Sequence, residues 1–580
     1  MQPDSANIAR HLPLMATRQP GHPAVKIPRG RTPAGAIDYL TLTFAELDAE
    51  VDAWVARLAG RGVRPGDRVL VMVRQGLPLI AAVFALFKLG AVPVIIDPGM
   101  GRKNFLACVA HTRPRVLLGI QFAQILSRIF WSPFRSIEVR VGASRDPLAR
   151  LTNGSLKNFP TTPRLAEPTA DTLAAILFTS GSTGAPKGVC YEHGMFDAQV
   201  RLIRDTYRIE PGEIDLSLLP VFALFSPALG MTTIVPEIDP SRPVAVPAEK
   251  LIQAILQEKV TNSFGSPALW RKIFTHCTRN GIQLPSLRRV LCAGAPVPLP
   301  FYREAHRILP AGVLHSPYGA TEALPVSTIS ADEVLGAAAA ARSTASSHGA
   351  GTAPVTAAGY GTCVGRPIAG IDVRIIAIAE GSIASIAEVR ELAGGEIGEI
   401  IVRGPVVTKR YDNLPEATAA SKIPDLTPHA SRLKPDGGAA AVWHRMGDCG
   451  RIDAEGRLWF CGRVAERVVT AAGTLFTDPC EQVFRTLIPQ YRCALIGLGP
   501  QGRQRPALVV EANLATTADR IRLFRQYRAA AATQPQTAGI ALFFFHKRFP
   551  VDVRHNAKIH RLALARWAAT ARGYGGQSKR

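Results

Sequence analysis

The stretch "LFTSGSTGAPKGV", Leu177 to Val189, sets three glycines, four hydroxyl residues, a proline and a lysine directly behind an apolar run. The lead-in "LAAILF", Leu173 to Phe178, reads as a buried strand feeding a turn. Glycines let a backbone turn its N–H groups inward, hydroxyls add donors, and Lys187 adds a full positive charge. That chemistry is built for phosphate. It is not the G-x-x-x-x-G-K-[ST] loop, because Pro186 precedes the lysine and Gly188 follows it, so no Ser or Thr stands ready for a metal.

Working outward, the N-terminal third alternates strand and helix. "GDRVLVMV", "AVPVIID" and "RPRVLLGI" read as strands, and "GLPLIAAVFALFKLG" as a helix. The rhythm predicts a mostly parallel sheet covered by helices. It resumes after residue 170 with strand ends at "IDLSLLP", "TNSFGSP" and "LRRVLCAGAP". "GAAAAARSTASSHGAGTAPVTAAGYG", about residues 336–361, is a small-residue stretch read as a flexible surface insertion. "IDVRIIAI", "GEIGEIIVRG" and "GRLWFCGR" then predict a β subdomain. Residues 1–462 are expected to form one large α/β body. Residues 463–580 are expected to form a small, mobile α+β domain.

Bulk composition narrows the class. The 580 residues carry 68 Lys+Arg against 45 Asp+Glu, a net charge of +23. The last 80 residues hold 15 basic and 3 acidic side chains. Nucleic acid is one reading of such a tail, but its arginines alternate with apolar residues at helical spacing ("RIRLFRQYRAAA") and no base-stacking module is visible. A face for anionic nucleotides, or one that touches a membrane surface, fits at least as well. No apolar run reaches the roughly 18 residues of a membrane span. The N-terminus lacks a signal-peptide core. Nine scattered cysteines without a C-x-x-C pair suit a reducing cytoplasm and argue against a zinc site.

Further chemistry clusters downstream. "YGATE", Tyr318 to Glu322, offers an aromatic face, a hydroxyl at Thr321 and a hard carboxylate suited to Mg²⁺ at Glu322. "CAGAP" places Gly294, Ala295 and Pro296 in a tight turn where a flat ring could lie. "HRMGDCG" contributes Asp448, a possible acceptor for two ribose hydroxyls; "FCGRVAERV" contributes Arg463, and "VRHNAKIHR" contributes Lys558.

With the opening loop, these motifs in this order resemble the adenylate-forming superfamily of acyl-CoA synthetases, peptide adenylation domains and luciferases, over roughly residues 20 to 568. The resemblance implies ATP and Mg²⁺ as cofactors. It implies a phosphate loop of Thr179, Ser180, Gly181, Ser182, Thr183, Gly184 and Lys187. Gly294, Ala295 and Pro296 would line the adenine, with Tyr318 stacked on it. Thr321 would meet the α-phosphate, Glu322 the metal, and Asp448 the ribose beside Arg463. Lys558 would act at the reacting carboxylate. A carboxylate attacking phosphorus brings two anions together, so cations must be fixed in advance.

Within the superfamily, "LPVFALFSPALGMTTIVPEIDPSRPV" and "FPVDVRHNAKIHR" look most like the β-lactone synthetases of bacterial long-chain olefin biosynthesis. Phe222, Phe225 and Leu229, with Gly265, would make a wholly apolar acyl pocket. Ala465 stands where relatives carry a hinge Asp or Lys, and "TLF" follows Gly473 where an arginine is expected. Both departures lower the expectation of transfer to a thiol. The resemblance implies that a 2-alkyl-3-hydroxyalkanoic acid is activated as acyl-AMP and closed by its own 3-hydroxyl, alongside a thiolase, a reductase and an α/β-hydrolase. The alternatives are a long-chain acyl-CoA or acyl-AMP ligase and, from another class, a non-catalytic nucleotide or nucleic-acid binder.

Overall fold

The fold is that of a computed structural model, which describes residues 6–143, 167–179, 186–219, 222–238, 245–336, 359–426, 441–551 and 559–575. The insertion expected at 336–361 therefore falls almost wholly outside the described residues.

Six strands form a first sheet in the order Val139–Gly142, Val116–Gly119, Arg68–Met72, Val92–Ile96, Leu173–Thr179, Lys187–Glu192. All neighbours are parallel except the last pair, where Thr179 faces Lys187 across an antiparallel ladder. The central strands are apolar runs because both of their faces are covered. The helix Leu77–Leu89 is apolar on nearly every side for the same reason, and Gly90 ends it in the left-handed region at φ 74°. Its one cation, Lys88, is buried and paired with Asp48 at 3.0 Å and with Asp52.

A second sheet of 14 strands changes character halfway along. Thr232–Ile234, Ile214–Leu216, Asn262–Gly265, Arg289–Cys292 and Val313–Ala320 run parallel to one another. From Val313–Ala320 onward the pairing is antiparallel, first with Ala323–Ser330 and then with Thr362–Pro367 and Leu458–Arg463. The β-rich stretch anticipated from residue 371 is thus hydrogen-bonded into the body's own sheet. Helices Ala248–Glu258, Pro267–Asn280 and Leu299–Ile308 pack into one large core around Trp270, Phe274 and Trp459.

Beyond Val468 the chain builds two further apolar clusters, around Tyr527 with Phe543 and around Phe544 with Leu564. They pack on a three-stranded sheet of Cys493–Leu498, Arg505–Glu511 and Leu542–His546. All nine cysteines are buried and free, so no disulfide contributes to the fold. Among the described residues no helix is long and apolar enough to cross a membrane.

Candidate active site

The site forms where the large sheet switches from parallel to antiparallel pairing. Strand Val313–Ala320 reverses into Ala323–Ser330 with Ala320 facing Ala323, so Thr321 and Glu322 occupy the two-residue turn. The predicted pentapeptide therefore spans a strand end and its hairpin.

Tyr318, Asp448 and Arg463, 130 and 15 residues apart along the chain, meet in one cluster. The Tyr318 hydroxyl donates to Asp448 Oδ2 at 2.6 Å, and the Arg463 guanidinium lies 2.8 Å from Oδ1. Asp448 and Arg463 are direct partners across an antiparallel ladder, so backbone pairing fixes the ion pair. The Asp448 carboxylate raises the Arg463 pKa, and burial together with that carboxylate pushes the Tyr318 phenol well above its usual range. A carboxylate offers about four lone-pair sites, and Tyr318 and Arg463 engage one on each oxygen.

A second cluster surrounds Glu322. The Tyr411 hydroxyl donates to Glu322 Oε1 at 2.8 Å. The Lys187 ammonium sits 4.7 Å from the Tyr411 ring centroid, so loop lysine and turn carboxylate share one aromatic neighbour. The Thr408 backbone N–H donates to the Glu322 carbonyl at 2.9 Å, and the buried Lys422 ammonium donates to Thr408 Oγ1 at 3.1 Å. Burial pushes the Lys422 amine down to about 7, opposed by the Glu322 charge and reinforced by Lys187. The Tyr191 hydroxyl donates to the Thr321 carbonyl and fixes the turn from below. Tyr191, Thr408, Tyr411 and Lys422 have no motif in the sequence reading. Each becomes visible only when distant strands pack.

Gly294, Ala295 and Pro296 follow the strand Arg289–Cys292, with Gly294 at φ 98° and open to solvent. That backbone lies beside Gly265, whose carbonyl accepts from the Ala293 N–H at 3.2 Å. Ser180, Gly181, Ser182, Thr183, Gly184 and Lys558 lie outside the described residues, as do the side chains of Thr179 and Phe222. The ladder that joins Thr179 to Lys187 nevertheless makes residues 180–186 the connection between two adjacent strands.

Beside these clusters lies a cleft between helix His193–Tyr207 and the sheet, walled by Ile203, Phe225, Leu229, Met231, Phe264 and Leu324. Phe225 and Leu229, expected from the sequence to border an acyl chain, are both in this wall. Gly265 is the residue after Phe264, and a Cβ there would meet Trp270 Nε1 at 2.8 Å and Leu218 Cδ1 at 2.9 Å. The wall is not wholly apolar, which corrects the expectation from the sequence. Asp215 and Asn262 also line it. Asp215 is buried, accepts from Ser226 Oγ at 2.8 Å and from Asn262 Nδ2 at 2.6 Å, and burial pushes it up to about 6.

Among the described residues no three His, Cys, Asp or Glu side chains gather as a metal cage. A single carboxylate at Glu322 instead matches the way Mg²⁺ is held, through one or two protein carboxylates, substrate phosphates and water.

The Tyr318–Asp448–Arg463 cluster and the Glu322–Tyr411–Lys187 cluster flank one β-turn, and the family match makes the protein an adenylate-forming enzyme. The chain belongs to the AMP-binding enzyme family, whose model matches residues 14–412. Over 574 residues it is 43% identical to the olefin beta-lactone synthetase of Xanthomonas campestris pv. campestris, with 98% of each chain covered. It is 43% identical over 572 residues to the enzyme of that name from Stenotrophomonas maltophilia, covering 97% of this chain and 98% of the other. Solved structures share the fold at lower identity. The amide bond synthetase McbA from Marinactinospora thermotolerans superposes with a TM-score of 0.70 at 21% identity, covering 97% of this chain and 99% of that one. ATP-bound MatB from Rhodopseudomonas palustris gives 0.71 at 19%, covering 98% and 99%.

Proposed function

We propose that the enzyme activates a long-chain 2-alkyl-3-hydroxyalkanoic acid with ATP and closes it to a β-lactone. The observation that carries this reading is the 43% identity with an olefin beta-lactone synthetase across 98% of the chain. The cleft at Phe225 and Leu229 supports an aliphatic substrate.

In the first step a carboxylate oxygen attacks the α-phosphorus and pyrophosphate leaves. The loop Thr179–Gly184 with Lys187 cradles the departing phosphates, and Lys558 offsets charge at the attacked phosphorus. Gly294, Ala295, Pro296 and Tyr318 border the adenine, Thr321 meets the α-phosphate, and Asp448, held by Arg463, accepts the ribose hydroxyls. Glu322 would hold Mg²⁺, which when bound neutralises phosphate charge. In the second step the substrate's 3-hydroxyl oxygen bonds to the acyl carbon, the acyl–oxygen bond to AMP breaks so that AMP leaves, and the hydroxyl proton passes to water. Both reacting groups belong to one molecule, and effective molarities for such closures reach about 10⁵–10⁸ M before ring strain is subtracted. No thiol is needed, which accords with Ala465 and with "TLF" after Gly473.

Residues 463–580 act as the small domain that delivers Lys558, and the enzyme works in the cytoplasm beside a thiolase, a reductase and an α/β-hydrolase. Product analysis by mass spectrometry, with ATP, Mg²⁺ and a 2-alkyl-3-hydroxy acid, tests the reading. AMP and β-lactone are expected without coenzyme A, and the 3-deoxy acid is expected to stall as bound acyl-AMP. Multiple turnover of the deoxy acid only when coenzyme A is added would install a ligase in its place.

A further inference from the structure

The helix Gln121–Ile129 links strand Val116–Gly119 to Val139–Gly142, the edge strand of the six-stranded sheet. Its inner face is anchored. Ala123 and Ser127 are buried, and Gln124 Nε2 donates to the carbonyls of Gly119 at 3.3 Å and Val141 at 3.1 Å. The outer face is apolar. Phe122, Ile125 and Ile129, spaced i, i+3 and i+7, are 66%, 48% and 69% exposed, and Trp131 just beyond is 65% exposed. An amphipathic helix normally turns such a stripe inward. Other exposed large apolar residues, such as Leu14, Leu256 and Leu487, are far apart in sequence, which is ordinary for a protein surface.

The sequence on either side of the stripe is strongly basic. From Gly101 to Gly142 there are seven Lys or Arg and a single acidic residue, Glu138. That carboxylate is engaged by Arg115 at 2.7 Å. The Arg102 guanidinium lies 5.8 Å from the Phe130 ring centroid, which sets the exposed Arg102 and Lys103 beside the end of the helix. Arg128 and Arg135 are exposed as well.

We propose that the helix Gln121–Ile129, with Trp131, is a docking surface for an anionic lipid bilayer. Bulky aliphatic and aromatic anchors rimmed by cations are the side-chain pairing of helices that lie in the membrane interface. Nine residues cannot span a bilayer, so the helix lies flat against it. Attraction to acidic headgroups sets the orientation, and the anchors supply the hold. The proposal does not depend on the substrate assigned above.

Flotation of the full chain with vesicles tests it. The wild type is expected to float with phosphatidylcholine–phosphatidylglycerol vesicles, to float poorly with phosphatidylcholine alone, and to be released by salt. Phe122→Ser with Ile129→Ser, and separately Trp131→Ser, should each cut the bound fraction by about tenfold or more, the effect of removing one or two buried anchors. Their thermal unfolding midpoints should stay at the wild-type value, which separates lost docking from lost folding. Arg102→Gln with Arg135→Gln should weaken flotation only with the anionic vesicles. Equal flotation of wild type and serine variants would move binding elsewhere, to the basic tail for instance, and overturn the proposal. So would absence of flotation, including the case in which the wild type sediments as a dimer that the serine variants dissolve.

Discussion

Pro317 and Tyr318 are neighbours on one strand and serve opposite regions of the site. Pro317 lines the apolar cleft, whereas the Tyr318 hydroxyl donates to Asp448. Successive side chains of a strand point to opposite faces, so this strand is the wall between a charged cluster and an apolar cleft. The next turn repeats the division, with Glu322 beside Tyr411 and Leu324 in the cleft. On the charged side, Tyr318, Asp448, Arg463 and Glu322 are each held by a polar partner. On the cleft side, shape is set by apolar packing and one buried acid. Preorganised charge favours the transition state because no reorganisation is left for the moment of reaction. Burial of apolar surface, by contrast, contributes in proportion to area and is graded.

The largest expected effect falls on the charged side. Lys558→Ala should slow pyrophosphate exchange by roughly 10²–10³ while leaving ATP binding nearly intact, the loss typical of one charge-stabilising group. Exchange at the wild-type rate would place the catalytic cation elsewhere, with Lys422 the first residue to test.

The cleft side is sharpened by Asp215→Asn. Burial raises the Asp215 pKa from 3.8 to about 6, so the folded state prefers the protonated acid. Its stabilising contribution is complete below the unfolded value near 3.8 and is lost as pH rises through about 6. Asparagine does not titrate. Between about pH 4 and pH 6 the wild type should therefore lose up to ~3 kcal/mol of unfolding free energy relative to the variant. Parallel denaturation curves across that window would show that Asp215 is not carrying the proton.

Two smaller effects separate the nucleotide contacts. Asp448→Asn should raise the KM for ATP by roughly tenfold with kcat little changed, since ribose contacts are alike in ground and transition states. A lost kcat at normal KM would contradict that role. Glu322→Gln should shift the Mg²⁺ midpoint of turnover by a comparable factor or less, because a neutral amide holds a hard cation less well than a carboxylate. An unmoved Mg²⁺ titration would detach Glu322 from the metal.

The two regions also differ in how much of each a reader of the sequence can find. "YGATE" stands out in the sequence because it sets an aromatic, a hydroxyl and a carboxylate together in one short stretch. The alternation of strands and helices is legible because buried strands must be apolar. Lys422 is not legible, since "ASKIPD" reads as an ordinary exposed segment. Its burial follows from strand Lys422–Pro424 pairing with Val442–Ile452, a contact no local pattern announces. Asp215 in "IDLSLLP" is equally silent, because its neighbours Ser226 and Asn262 arrive from elsewhere in the chain. Tertiary packing, not local propensity, writes those residues into the site.

The junction of parallel and antiparallel halves has a consequence for biosynthesis. Tyr318 must wait for Asp448, 130 residues later, and Asp448 for Arg463 on the next strand. A ribosome reads this chain at about 5–20 residues per second, so the parallel half is complete for several seconds before Asp448 exists. Under the proposed role of Asp448, ATP, which stabilises whatever conformation it binds, gains its full set of contacts only after that residue is made. A fragment ending at residue 440 is expected to form the six-stranded sheet yet leave a fluorescent ATP analogue unbound. Binding by that fragment would show that the hairpin loop alone suffices to capture nucleotide, and that quality control by ligand begins earlier in synthesis than the sheet order implies.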